Sequence, residues 1–452
     1  MWWPRMIDWP MVKLGDVADF LTGFPFKSAS YSDAVSDPRL LRGDNIAQGT
    51  LRWDNAKRWP LTLTDDVSPY RLEQRDVVLA MDRPWIDAGL KYATVRSDDL
   101  PSFLVQRVAR LRGTQYLSTR FLRYVLGSRA FTDYVLGVQT GTAVPHISGG
   151  QIKAYQFRLP SIPEQEQIAE ILGSLDDKID LNRRMNEALE AMAQAIFRDW
   201  FVDFGPTRRK MDGATDPVEI VGGLVTDPER AQQLSDMFPA VTTDNAVPEG
   251  WKAVAISNLI EFNPSEPLKR GTIAPYSDMS SLPTRGSLAE PPIEREFGSG
   301  MRFRNGDALL ARITPCLENG KAAFVDFLAS PSVVGWGSTE FIVLRAKPPV
   351  PPPYAYLLVR HDEFRDRAIR SMTGTSGRQR AQPDSLASFM CADPSKEVLE
   401  AFGKIITPWF SMISANGGQN RTLAAARDLL LPKLMSGEIR LNEAERQLEA
   451  AQ

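Results

Sequence analysis

Two short glycine-rich loops are the places in this sequence whose residue types best suit a charged ligand. Gly137 to Ser148 ends in Pro145-His146-Ile147-Ser148, and a later counterpart reads Thr373-Gly374-Thr375-Ser376-Gly377-Arg378-Gln379-Arg380. Backbone amides and hydroxyls in such loops suit phosphate oxygens, while Arg and Gln match donor and acceptor patterns on base edges. Arg42, Arg83, Arg312 and Lys321 sit beside turns or strand ends, where a side chain can project to a ligand. The competing reading of every one of these positions is an ordinary solvated loop or surface charge. The candidate ligand contacts are Arg42, Arg83, Thr142, His146, Arg312, Lys321, Thr375, Arg378, Gln379 and Arg380.

Patterns for catalysis fare worse. No Gly-x-x-x-x-Gly-Lys-[Ser/Thr] run cradles a nucleotide. Leu317-Glu318-Asn319-Gly320-Lys321 has one Glu and one Lys at the wrong spacing for a nuclease pair, and reads as a turn centred on Asn-Gly. Pro351-Pro352-Pro353-Tyr354 contains the Pro-Pro-Tyr of amino-methyltransferases without the preceding Asn or Asp that would hold the amino group. It reads as a stiff connector before a helix. His146 and His361 lack metal-ligand spacing, and Cys316 and Cys391 offer neither a disulfide framework nor a zinc site. A non-catalytic chain with no metal and no cofactor of its own is expected.

The elements that must position the loops come twice. β-like runs at Asp76–Met81, Leu90–Val95 and Leu104–Leu111 are followed by a helical stretch, Gln115 to Leu136, and then by the first loop. The second copy has runs at Ala308–Ile313, Ala322–Phe327 and Glu340–Leu344, then a helix from Tyr354 to about Ser371, then the second loop. Each copy leads into a long helix, expected over Glu164 to Phe204 and over Val398 to Met435. Ile168, Leu172, Leu175, Ile179, Asn182, Asn186, Leu189, Ala193, Ile196 and Trp200 alternate in steps of three and four, a heptad-like seam. Phe402, Ile406, Trp409, Ile413, Asn416, Asn420, Leu423, Arg427, Leu430 and Leu434 repeat that cadence, with an interruption expected at Gly417-Gly418 and a kink or end near Pro432. An isolated rod would leave its stripe wet, so the two are expected to pack together. The four asparagines either fix register or lie solvated beside an imperfect seam. Similar copies imply pseudo-twofold symmetry with two similar but non-identical binding surfaces.

Composition is compatible with this. The 452 residues are 43% hydrophobic and 24% charged, as in globular proteins of more than one domain. No apolar run is long enough to span a membrane and Met1-Trp2-Trp3-Pro4-Arg5 is no secretory signal, so a cytoplasmic protein is expected. Net charge is −3, but the two strand-rich parts are weakly positive and the first rod with the segment after it is negative. Local positive surface can meet phosphates whatever the total.

An ordered set of motifs resembles the specificity subunit of type I restriction–modification systems over essentially the whole chain. Trp9-Pro10-Met11-Val12-Lys13-Leu14-Gly15-Asp16-Val17 is similar to the family's opening strand, and Arg75-Asp76-Val77-Val78 and Gly306-Asp307-Ala308-Leu309 to its Gly-Asp-hydrophobic signatures, Arg75 departing from Gly. The most specific element is Leu159-Pro160-Ser161-Ile162-Pro163-Glu164-Gln165-Glu166-Gln167-Ile168-Ala169, which resembles the entrance to the central conserved helix. Gly141 to Ser148 and Gly374 to Arg380 resemble loops that close a target recognition domain, and Leu431-Pro432-Lys433-Leu434-Met435-Ser436-Gly437-Glu438-Ile439 the C-terminal signature.

The resemblance implies an α+β fold with two similar target recognition domains joined by two long helices packed as an antiparallel coiled coil, a pseudo-twofold repeat. The expected segments are recognition domains at 1–160 and 248–393, long helices at 161–206 and 394–441, a linker at 207–247 and a tail at 442–452. It also implies double-stranded DNA as ligand, read as a bipartite target, and two methyltransferase subunits as partners, docked on the helices through Ile168, Leu172, Leu175, Ile179, Leu189, Trp200, Phe402, Trp409, Leu423 and Leu430. S-adenosylmethionine would belong to those partners, and ATP and Mg to a restriction–translocase subunit where one is present. The alternatives are a scaffold that does not read DNA and a self-contained DNA-modifying enzyme.

Overall fold

The computed structural model describes residues 9–86, 88–141, 144–244, 247–375, 377–439, 443, 444 and 446, with the side chains of 65 and 66 excepted. The chain divides into two compact units, 1–179 with 422–452 and 180–421. The long helices Ile162–Phe201 and Lys396–Ser436 each contribute one stretch to both units.

In the first unit, Asp19–Thr22, Val108–Arg112, Val77–Ala80 and Tyr92–Thr94 form a four-stranded antiparallel sheet in that spatial order. The opening strand Met11–Lys13 pairs antiparallel with Gln156–Arg158, the strand that precedes the long helix. The second unit repeats this order. Ile260–Phe262, Phe341–Ala346, Ala308–Ala311 and Ala322–Phe324 make the four-stranded sheet, and Lys252–Ala255 pairs with Met390–Asp393. Val77–Ala80 and Ala308–Ala311 are buried at every position, as central strands covered on both faces require.

What is inserted between the shared strands differs. The first unit carries a parallel pair, Arg39–Leu41 with Ser102–Leu104, and a small separate core in which Phe26 meets Trp59 and Phe103. The second carries a four-stranded sheet of Ile293–Glu296, Ile273–Ser277, Gly335–Gly337 and Met301–Phe303.

The helix expected at Gln115 to Leu136 is two helices, Thr119–Gly127 and Arg129–Val138. Ser128 breaks it: its backbone is extended and its hydroxyl accepts the Phe131 N–H, a cap that starts the second helix. The helix expected from Tyr354 breaks at the corresponding place, into Pro353–Arg360 and Asp362–Arg370, with His361 extended. The segment after the first long helix carries three short helices, Gly205–Met211, Pro217–Ile220 and Pro228–Asp236.

The second long helix is not interrupted at Gly417-Gly418, contrary to expectation, and it ends at Ser436, four residues past Pro432. A Cβ on Gly417 would lie 2.8 Å from Leu288 Cδ1, so the glycine admits a close neighbour, and packing outweighs its cost of about 1 kcal/mol in helix propensity. In the second unit the helices run antiparallel: Asn182 Nδ2 donates to Gln419 Oε1 at 2.8 Å and Asn420 Oδ1 at 2.9 Å, and Asn416 Nδ2 to Asn186 Oδ1 at 2.8 Å. The asparagines thus pair across the seam, where each bond is satisfied in only one register. Among the described residues no helix is long and apolar enough to cross a membrane.

Candidate nucleic-acid interface

The aspartate of the Gly-Asp signature has a structural role that sequence reasoning missed. Asp307 is 1% exposed and its carboxylate accepts from Arg345 Nε and Nη2, both at 2.7 Å, and from the Arg304 N–H at 2.7 Å. Asp76, 2% exposed, accepts from Arg112 Nε and Nη2 and from the Glu73 N–H. In each unit, therefore, a buried carboxylate at the start of one central strand clamps an arginine on its neighbour. Burial raises the Asp307 carboxyl above its ordinary range, the Arg345 bonds opposing that shift. The residue before each aspartate is left-handed, with φ +76° at Arg75 and +94° at Gly306. That explains the glycine of the signature and identifies Arg75 as its strained substitute.

Each clamp strand leads to a closing loop. In the first unit Thr140 and His146 bridge each other, Asp82 bridges to His146, and the Arg83 N–H donates to the Pro145 carbonyl at 2.7 Å. His146 Nδ1 lies 2.7 Å from Asp82 Oδ1, and its Nε2 lies 3.4 Å from Arg107 Nη1. Arg83 and Arg107 are both left-handed, at φ 45° and 67°, a strained pair beside one histidine. Arg83 is exposed, and buried Lys91 feels the charges of Asp44, Arg83 and Asp82, which places them in one neighbourhood. Arg42 is a half-exposed member of the turn before that aspartate, 3.9 Å from Asp44. Thr142 lies outside the described residues.

In the second unit Thr373 and Arg380 bridge each other, Ile313 bridges to Arg380, and the Thr314 N–H donates to the Gln379 carbonyl at 3.0 Å. Arg312 is tied through backbone to Glu340 and Ala381, so Arg312, Gln379 and Arg380 come together. Thr375 and Arg378 are exposed in the same loop. Arg380 holds Glu340 through both carboxylate oxygens, at 2.7 to 2.9 Å, and those bonds keep the Glu340 carboxyl below its usual range. Lys321 Nζ donates to the Met279 carbonyl at 2.7 Å. Both cations thus already have a partner within the chain, which the sequence could not reveal because Glu340 and Met279 are about 40 residues away.

The seam residues expected to dock a partner serve the chain itself. Ile168, Leu172, Leu175, Ile179, Trp200, Phe402 and Leu430 are buried, and Leu189, Trp409 and Leu423 half-buried. Leu172 and Leu175 share a core with Leu430 and Leu434, and Trp200 packs on Phe402 at 5.8 Å between ring centroids. The three half-buried residues keep part of their surface open. Leu181, Met185, Met192 and Met412 are large apolar side chains on the long helices that stay exposed.

Metal and thiol chemistry find little footing. Among the described residues no group of three or more His, Cys, Asp or Glu is placed to hold a metal. Burial, with Asp393 beside it, pushes the Cys391 thiol up to about 12, so it stays protonated and unreactive.

The family model for the type I restriction modification DNA specificity domain matches residues 6–191. The chain is 33% identical to the specificity subunit of the type I restriction enzyme EcoAI of Escherichia coli over 187 residues, 41% of this chain but only 31% of that relative's length. It is 26% identical over 368 residues to the HindI specificity subunit of Haemophilus influenzae, covering 71% of this chain and 77% of the relative. The fold is similar to the crystal structure of the type I restriction–modification S subunit from M. genitalium, with a TM-score of 0.54 at 11% identity, over 96% of this chain and 97% of that one. Repeated sheet order, the paired long helices and these likenesses agree: residues 6–191 match the type I restriction modification DNA specificity domain, and the chain is similar over most of its length to type I specificity subunits.

Proposed function

We propose that the chain recognises a bipartite double-stranded DNA target, one half with each unit, and docks adenine methyltransferase subunits on its long helices while performing no chemistry itself. The observation that supports this reading most is what the repeat keeps and what it varies. Sheet order and the Asp–Arg clamp are kept, whereas the inserts and the closing loops are unlike. A constant frame carrying divergent loops is what reading two different sequences from one scaffold requires. The contacts proposed for the first unit are Arg42, Arg83, Thr142 and His146. Those for the second are Arg312, Lys321, Thr375, Arg378 and Gln379, with Arg380 shaping its loop through Glu340. Exposed Leu181, Met185, Met192 and Met412 are the proposed apolar anchors for partner subunits. S-adenosylmethionine would enter with those subunits, and ATP and Mg only with a translocating nuclease.

The test is competition binding by the complex assembled with its methyltransferase subunits. A cognate duplex should resist displacement by scrambled duplexes at physiological salt by about a thousandfold. Equal displacement by both would leave a scaffold that does not read DNA.

A further inference from the structure

We propose that Glu190, Tyr356 and Arg360 form a positioning relay that sets the 315–322 turn of the second recognition domain from the long helix beside it. The inference rests on the reading above and concerns one unit only. Tyr356 is fully buried on the helix Pro353–Arg360, and its hydroxyl donates to Glu190 Oε1 on the first long helix. The same hydroxyl accepts from Arg360 Nε at 2.9 Å. The other described hydrogen bonds of the guanidinium go to backbone carbonyls: Nη1 to Gly320 at 2.5 Å and Thr284 at 3.1 Å, Nη2 to Gly286 at 2.6 Å and Ala322 at 2.9 Å. Arg365 adds a bond to the Glu318 carbonyl.

The bonds to Glu318, Gly320 and Ala322 hold the turn between the strands Ala308–Ala311 and Ala322–Phe324, in which Lys321 lies, and those to Thr284 and Gly286 tie it to a neighbouring segment. It adjoins the closing loop through Thr314 and Gln379. Burial, with the Glu190 charge beside it, raises the Tyr356 hydroxyl well above its ordinary range, so the relay keeps its proton. An arginine fixed at one end by a buried hydroxyl and donating through the rest of its fork has little rotational freedom left. The first unit has the corresponding tie but not the extension. Tyr124 donates to Asp176 Oδ2 at 2.9 Å, and Arg123 turns to the same oxygen at 2.6 Å instead of to a turn. Arg427 completes that site from the second long helix, donating to Asp176 Oδ1 at 2.9 Å.

Tyr356→Phe removes one hydroxyl and keeps the packing, so it is the primary variant, and Tyr124→Phe is the matched control. In the full chain, hydrogen exchange of amides 316–322 should quicken about two- to tenfold in Tyr356→Phe, the range for one lost hydrogen bond, and stay unchanged in Tyr124→Phe. In the methyltransferase complex, Tyr356→Phe should lower discrimination between cognate and base-substituted duplexes in one half-site and leave the other untouched. A loss of overall stability would lower both halves alike. Unchanged exchange at 316–322 overturns the relay. Faster exchange with discrimination intact in both halves overturns its role in reading. If the unaltered complex discriminates no bipartite target, the functional reading falls, while the exchange result still decides the relay.

Discussion

Arg75 and Gly306 occupy the same place in the two units, and exchanging their character should move stability in opposite directions. Each precedes the clamping aspartate, and each N–H donates to a neighbouring strand, Arg75 to the Val95 carbonyl at 2.8 Å and Gly306 to the Val325 carbonyl at 2.7 Å. Arg75 adopts φ +76° with its side chain exposed. A non-glycine residue in that region costs about 1–2 kcal/mol. Arg75→Gly removes that cost and adds about 0.4–1 kcal/mol of unfolded-state entropy, for a net gain of about 0.5–1 kcal/mol. Gly306→Ala does the reverse. It introduces the strain at φ +94° and sets a Cβ 3.3 Å from Pro352 Cβ, tighter than an ordinary contact, for a net loss of about 1–2 kcal/mol. Urea unfolding followed by far-UV circular dichroism, without DNA, should show a higher midpoint for the first variant and a lower one for the second, at unchanged slope. Shifts of the same sign in both would refute the argument that backbone conformation at these two sites dictates residue choice.

Asp307→Asn should destabilise the second unit by about 2 kcal/mol, less than a broken buried pair usually costs because Arg345 keeps Glu266 and remains 27% exposed; the same unfolding assay reads it. Lowering pH should loosen the 373–380 loop, because Glu340 is held below its usual range by Arg380. Its contribution is present above the unfolded carboxylate value and is lost as pH falls through the folded one. Protection of the 373–380 amides, corrected for the intrinsic pH dependence of exchange, should therefore fall with acid in the wild type, and Arg380→Gln should remove that dependence. Arg378→Ala should weaken binding of all duplexes about equally and lower the slope of affinity against salt by about one unit, as loss of a phosphate contact does; a loss confined to one base identity would instead mark a base contact.

The rods were legible because their apolar spacing persists over many turns, and Asn182, Asn186, Asn416 and Asn420 proved to mark the register of the seam. Local punctuation was less legible. Ser128 and His361 break the two shorter helices although neither is Gly or Pro, while Gly417 and Gly418 break nothing. At Ser128 a cap, and at Gly417 a close neighbour in Leu288, outweighs intrinsic propensity. The candidate contacts were found as residue types near turns, but their partners were not. Arg380 meets Glu340 and Asp76 meets Arg112 across dozens of residues, through strand neighbours that no local pattern announces. A heptad seam likewise cannot say whether it faces its own chain or another. Here Leu172, Leu175 and Leu430 face their own chain, and the exposed methionines were missed because they interrupt no pattern.

The central claim is that this chain confers sequence specificity on partners that do the chemistry. Its most direct test is to map adenine methylation in a host expressing the chain together with its methyltransferase subunit, against hosts expressing either alone. We predict methylation at one bipartite motif, appearing only when both are present, with no methyl transfer from S-adenosylmethionine by the isolated chain. Methylation by the chain alone, or a partner-dependent pattern with no common bipartite motif, would contradict it.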